Sequence, residues 1–271
     1  MFFLRSFFGI IRHLFQYVHY LIVSHRGKGN GLHAAFISRL YQEVIIRKQD
    51  DTVEGINKYI QYLKKNSTLI HCSHDYGAGS GYSRNTSHIA FNKLVNRSSV
   101  PPKYGKILYY LVNTFQPANI LEMGTSVGIS TIYLAAANDY STVWSIESCT
   151  EKQQIAKENL QIWGLKNVYF YPGLFHEELP KVLHHMPSLD MVFIDGDHRK
   201  KSLLSYYETI LDYIHHDTMM VIDDIHWSSG MESAWKMIRS HNYVQVSIDL
   251  FRMGILFFHP QLSPKHIQIR Y

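Results

Sequence analysis

The 271 residues are 46% hydrophobic, enough to fill one large α/β body with an appendage and too apolar for a chain that is mostly disordered. The net charge of +5 would suit an acidic partner, but the basic residues are scattered, with short runs such as 64–65 and 199–201, which argues against nucleic-acid binding. Two cysteines, Cys72 and Cys149, without a CxxC spacing, exclude a disulfide framework and point to a reducing, cytoplasmic setting.

The chain opens on MFFLRSFFGIIRHLFQYVHYLIVSHRGKG, in which Arg5, Gly9, Arg12, Gln16 and His19 recur every three or four residues. That spacing predicts a helix with a polar stripe on an apolar cylinder. Two arginines at that depth would be costly in a membrane span, and no small-residue cleavage site follows. The expectation is a helix packed on the body, used for homodimerisation, or laid on a membrane surface. After a glycine-rich break, GLHAAFISRLYQEVIIRK and DDTVEGINKYIQYLKKN show helical spacing, the second capped by Asp50 or Asp51. Residues 66–100 read as a polar loop, and PPKYGKILYYLVNTFQP as a helix set between prolines. Residues 1–100 are thus expected to form a helical N-terminal cap and lid, ahead of a second unit at 101–271.

From 119 to 259 short β-branched runs alternate with helical stretches, the pattern of βαβ units in a parallel sheet covered on both faces. The last two runs, VQVSIDL and MGILFFH, are separated only by Phe251 and Arg252, a link that permits an antiparallel hairpin and forbids a crossover. The fold class is therefore α/β, a Rossmann-like, mostly parallel sheet with an antiparallel C-terminal hairpin.

Two stretches place an acid two residues ahead of a glycine-rich loop: HDYGAGSG at 74–81 and ILEMGTSVGIS at 120–130. A nucleoside site needs a strand before the loop, a helix after it, and an acid at the end of the next strand for the ribose hydroxyls. The first stretch lacks all three. The second has the strand, the helix ISTIYLAAA, and Glu147 ending TVWSIE 25 residues after Glu122. Its glycines, Gly124 and Gly128, are too few for a pyrophosphate, so a nucleoside without phosphates is the better ligand.

With Glu147, LEMGTSVGIST resembles the first two motifs of class I S-adenosylmethionine-dependent methyltransferases, in particular the catechol O-methyltransferase-like group (methyltransferase family 24 type), over residues 101–259. The resemblance implies a seven-stranded sheet and S-adenosylmethionine as cofactor. Glu122 would sit near its methionine amino group, Gly124 and Gly128 would let the backbone approach it, and Glu147 would take both ribose hydroxyls. Ser126 and Ser130 would either bond its methionine end or cap the turn.

Two further strands end in carboxylates, Asp195 with Asp197 and His198 after MVFI, and Asp223 and Asp224 with His226 and Trp227 after MMVI. Adjacent strand ends meet at the carboxyl edge, and three carboxylates so close repel one another without a cation. Oxygen ligands suit Mg²⁺, which would bind a substrate hydroxyl and lower its pKa. The resemblance likewise implies Asp195, Asp223 and Asp224 as ligands of a divalent cation, with Asp195 also beside the cofactor. His198 stands where the similar enzymes carry a lysine base, and its ordinary pKa suits proton removal near neutrality.

These readings predict methyl transfer to a hydroxyl of a small-molecule acceptor, catalysed by His198 and Asp195. The alternatives are an NAD(P)-dependent oxidoreductase and a non-catalytic binding module. HDYGAGSG, with hinge glycines Gly77, Gly79 and Gly81 and with Tyr76 and Tyr82, is expected to be a lid over the acceptor or a plain surface loop.

Overall fold

The computed structural model of the protein describes residues 2–24, 35–72 and 87–271, the side chains of 2–11, 72 and 87 excepted. The proposed lid residues and Asp75 lie outside the described residues. Ten helices are described: α1 (Phe2–Val23), α2 (Ala35–Leu40), α3 (Asp51–Leu63), α4 (Phe91–Ser98), α5 (Pro102–Phe115), α6 (Ile129–Ala135), α7 (Thr150–Ile162), α8 (Phe175–His185), α9 (Lys200–Leu211) and α10 (Ser229–Arg239). A π-helical turn, Tyr41–Ile45, follows α2. Asp50, not Asp51, caps α3, accepting from the Val53 N–H at 3.0 Å.

Strands β1 (Leu69–Cys72) and β2 (Ser87–Ala90) pair with each other, antiparallel. The remaining strands are β3 (Asn119–Met123), β4 (Thr142–Glu147), β5 (Val168–Pro172), β6 (Leu189–Ile194), β7 (Ile214–Ile222), β8 (Val246–Asp249), β9 (Gly254–Phe257) and β10 (Lys265–Gln268). They form one sheet in the order β10-β8-β9-β7-β6-β3-β4-β5. β3 to β7 run parallel, and β9 is antiparallel to both β7 and β8. The anticipated seven strands are all present, and β10 adds an eighth, parallel to β8. The sequence concealed β10 because KHIQ is polar and offers only Ile267 for burial.

Alternation along the strands sends side chains to two apolar layers. Ile120, Val143, Phe193 and Val221 face a core shared with α2 to α6 and the π-turn. Leu121, Ile146, Val192 and Met220 face α8, α9 and α10. Both faces are covered, so β3 is buried along its whole length.

The region read as a polar loop, 66–100, contains the β1–β2 pair and α4. Only one face of each of these short elements is apolar: Ile89, Phe91, Leu94 and Val95 are buried beneath a polar exterior. The α1 helix lies along the C-terminal hairpin. His13, Tyr17 and Tyr20 pack on the Phe251 ring, the Tyr20 hydroxyl donates to the Ile269 carbonyl, and Gln16 donates to Glu232. Its opposite side leaves Leu14, Phe15, Val18 and Ile22 exposed. No helix among the described residues is long and apolar enough to cross a membrane.

Candidate active site

The carboxyl ends of four neighbouring strands are aligned by register: Ile222 pairs with Ile194, Ile194 with Met123, and Met123 with Ile146. Chain order reverses between β3 and β6, the switch point at which open α/β sheets bind ligands. Glu122, Glu147, Asp195, Asp223 and Asp224 therefore gather along one edge.

Gly124 follows β3 with φ +112°, and a Cβ there would lie 2.0 Å from the Asp195 carbonyl oxygen. The glycine is needed for close approach of its own chain. Gly128, at φ +83°, starts α6 against Ala156 and Leu160. Between them Ser126 has φ 47°, and its N–H donates to Glu147 Oε2 at 2.8 Å. Glu147 Oε1 accepts from the Cys149 N–H at 2.9 Å. The acid at the end of β4 and the glycine turn after β3 are thus tied into one rigid edge. The Ser126 hydroxyl meets that of Ser98 at 2.7 Å, bringing α4 to the turn.

Glu122 is fully buried. Its Oε2 accepts from Thr131 Oγ1 at 2.7 Å and Ser145 Oγ at 2.6 Å, while Oε1 has no hydrogen-bond partner. Burial pushes its pKa up despite the hydrogen bonds from Ser145 and Thr131. Ionising it costs stability as pH rises through that raised value, so Glu122→Gln should raise unfolding free energy by about 1–2 kcal/mol at pH 8. The gain should shrink as pH falls towards the ordinary carboxylate range; urea unfolding at both pH values measures it.

Asp223 is fully buried, and both its oxygens are taken by Arg252. Nε donates to Oδ1 and Oδ2 at 3.0 Å, and Nη2 donates to Oδ2 at 2.7 Å. Arg252 Nε also lies 3.4 Å from Asp224 Oδ1. Burial opposes the Arg252 charge, but Asp223 and then Asp224 and Asp195 outweigh it and raise its pKa. Burial and the charges of Asp223 and Asp224 push the Asp195 carboxyl well above its usual range. His198 Nε2 stands between the two remaining carboxylates, 3.7 Å from Asp195 Oδ1 and 3.6 Å from Asp224 Oδ2.

The expected divalent-ion set of Asp195, Asp223 and Asp224 does not fit this arrangement. Asp223 presents its lone pairs to a guanidinium, and no group of three or more His, Cys, Asp or Glu side chains among the described residues is disposed to hold a metal ion. Sequence reasoning missed Arg252, which it used only to measure the length of a link. It also missed Thr131 and Ser145, whose signal was two hydroxyl residues on elements flanking a buried acid. Asp197 turns away from the other acids, holding Arg199 and the Tyr206 hydroxyl. His226 bonds Asp249 at 3.0 Å and stacks on Phe251, and Trp227 is exposed.

Residues 121–225 match a family described as a methyltransferase domain. A catechol O-methyltransferase of Niastella koreensis is 32% identical over 130 residues, 47% of this chain and 58% of that protein. One from Mycobacterium tuberculosis is 29% identical over 137 residues, 50% of this chain and 60% of that protein. The matches thus span about three fifths of these relatives' lengths. Among solved structures, a Bacillus cereus O-methyltransferase in complex with S-adenosylhomocysteine aligns with TM-score 0.54 at 21% identity, covering 82% of this chain and 97% of that one. A Podospora anserina methyltransferase bound to the same molecule aligns with TM-score 0.58 at 12% identity, covering 87% and 99%. These alignments carry the fold, and the family match at 121–225 spans the strands and loops that gather the acids. Residues 121–225 thus match a methyltransferase domain, on a fold that the chain shares with S-adenosylhomocysteine-bound methyltransferases.

Proposed function

We propose that the protein transfers the methyl group of S-adenosylmethionine to a hydroxyl of a small-molecule acceptor. The observation that carries this reading is the bond from the Ser126 N–H to Glu147, which fixes the ribose-binding acid to the glycine turn. The donor set fits the cofactor. Glu147 Oε2 accepts one bond and has a lone pair left for a ribose hydroxyl, Oε1 accepts from the Cys149 N–H and, at 3.5 Å, from the rotatable Ser148 hydroxyl, and the unpartnered Glu122 Oε1 suits a cationic amino group. When bound, S-adenosylmethionine would supply an electrophilic methyl group on sulfonium.

The chain's own residues then supply positioning and proton removal. His198, between Asp195 and Asp224, accepts the acceptor's hydroxyl proton at Nε2, and the flanking carboxylates stabilise the imidazolium formed. Residues 1–100 act as the cap of this site, supported by α1 on Phe251 and by the Ser98–Ser126 contact. The exposed apolar stripe of α1 is the surface on which membrane contact or self-association would rest.

An oxidoreductase is not favoured, because the turn has two glycines where a dinucleotide needs three and the sequence matches are to methyltransferases. The test is transfer of a labelled methyl group from S-adenosylmethionine to a panel of phenolic and glycosyl hydroxyls in the presence of EDTA. Labelled O-methyl product, lost in His198→Ala with S-adenosylhomocysteine affinity retained, is expected. Labelling only at nitrogen or carbon would overturn the reading.

A further inference from the structure

The acidic edge already holds a cation, and the fold supplies it. Arg252 occupies the turn between β8 and β9, where three separate elements fix it. Its carbonyl accepts from the Ile225 N–H at 2.9 Å, tying the turn to the loop that carries Asp223 and Asp224. The Tyr104 hydroxyl of α5 donates to the neighbouring Leu250 carbonyl at 3.0 Å, and α1 covers Phe251 with Tyr17 and Tyr20. A side chain held this way is not a surface arginine that swings aside.

The guanidinium is also placed as a cation bound by carboxylates would be. It takes Asp223 with two nitrogens and lies within 3.4 Å of Asp224. A divalent ion at that edge would need the Asp223 oxygens that Arg252 holds, and would stand against a fixed positive charge. Nη1, by contrast, has no acceptor among the described residues, so its two N–H donors remain for an oxygen entering the site.

We infer that Arg252 is the built-in counterpart of a divalent ion, neutralising the strand-end carboxylates and presenting Nη1 to the acceptor's oxygen, so that the site excludes Mg²⁺. A hydrogen bond from Nη1 strengthens as negative charge develops on that oxygen, which is the service an ion would otherwise give. This rests on the methyltransferase reading only for what the oxygen is; exclusion of the ion is a property of the folded chain by itself.

The test is titration with Mn²⁺, followed by loss of the free-ion electron paramagnetic resonance signal, on wild type, Arg252→Gln and Asp224→Asn. S-adenosylhomocysteine binding is measured on the same samples. Wild type should show no saturable uptake up to about 1 mM, and Arg252→Gln should gain affinity at least tenfold. Saturable uptake by wild type below about 0.1 mM, removed by Asp224→Asn, would overturn the inference. So would a folded Arg252→Gln that takes no more Mn²⁺ than wild type, since the arginine would then not be what keeps the ion out. If Arg252→Gln does not fold, the wild-type titration decides alone. Failure to bind S-adenosylhomocysteine would sink the methyltransferase reading and leave the result on Mn²⁺ standing.

Discussion

Replacing Gly124 with alanine should lower the free energy of unfolding by about 3–5 kcal/mol, a large share of the roughly 5–15 kcal/mol that holds a typical domain together. Two costs combine. The φ of +112° lies where an L side chain is strained, at about 1–3 kcal/mol. The added Cβ would also stand 2.0 Å from the Asp195 carbonyl oxygen, and backbone cannot yield as a side-chain tip can. Relief requires β3 and β6 to separate at their ends, which disturbs the bond from the Asp195 N–H to the Met123 carbonyl, 2.9 Å long. Overpacking of this kind adds about 1–3 kcal/mol. Gly164→Ala is the control: its φ of +67° is also positive, but nothing lies within 4 Å, so only about 1–2 kcal/mol should be lost. Urea midpoints for the two variants should differ accordingly, and equal shifts would mean that the Gly124 contact is not what restricts the position.

The second large effect is expected at the Arg252–Asp223 pair. Arg252→Met should destabilise the chain by about 3–5 kcal/mol, because it leaves a carboxylate with no solvent exposure and no counter-charge. The pair itself need not be strongly stabilising, since desolvation offsets much of its attraction. Adding Asp223→Asn to Arg252→Met should therefore recover part of the loss. A double-mutant cycle by chemical denaturation reads the coupling, expected at about 1–3 kcal/mol. Additive losses would show that the two side chains do not depend on each other.

The legibility of this chain divides by the range of the interactions concerned. β3 to β7 and the helices between them, α8 excepted, could be read because the strands are short apolar runs and each crossover is local in sequence. The glycine turn was legible for the same reason, with strand, turn, helix and next acid following one another within 30 residues. β1, β2 and β10 escaped because each is four residues long, with polar neighbours and at most one buried side chain among the described residues. Arg252 was the costliest omission. Its partners Asp223 and Asp224 lie 29 and 28 positions earlier, and only the antiparallel placement of β9 against β7 brings its turn beside them. The three aspartates call for a cation by like-charge repulsion; that Arg252 supplies it depends on a tertiary contact that no local pattern encodes.

In the proposed function Glu147 and the turn at 122–130 hold the nucleoside. Calorimetric titration of S-adenosylhomocysteine into wild type and Glu147→Ala, with circular dichroism to check the fold, tests it most directly. One saturable site in wild type, weakened at least tenfold (about 1.4 kcal/mol) in the folded variant, is the predicted result. No binding by wild type, or an unchanged affinity in Glu147→Ala, would contradict it.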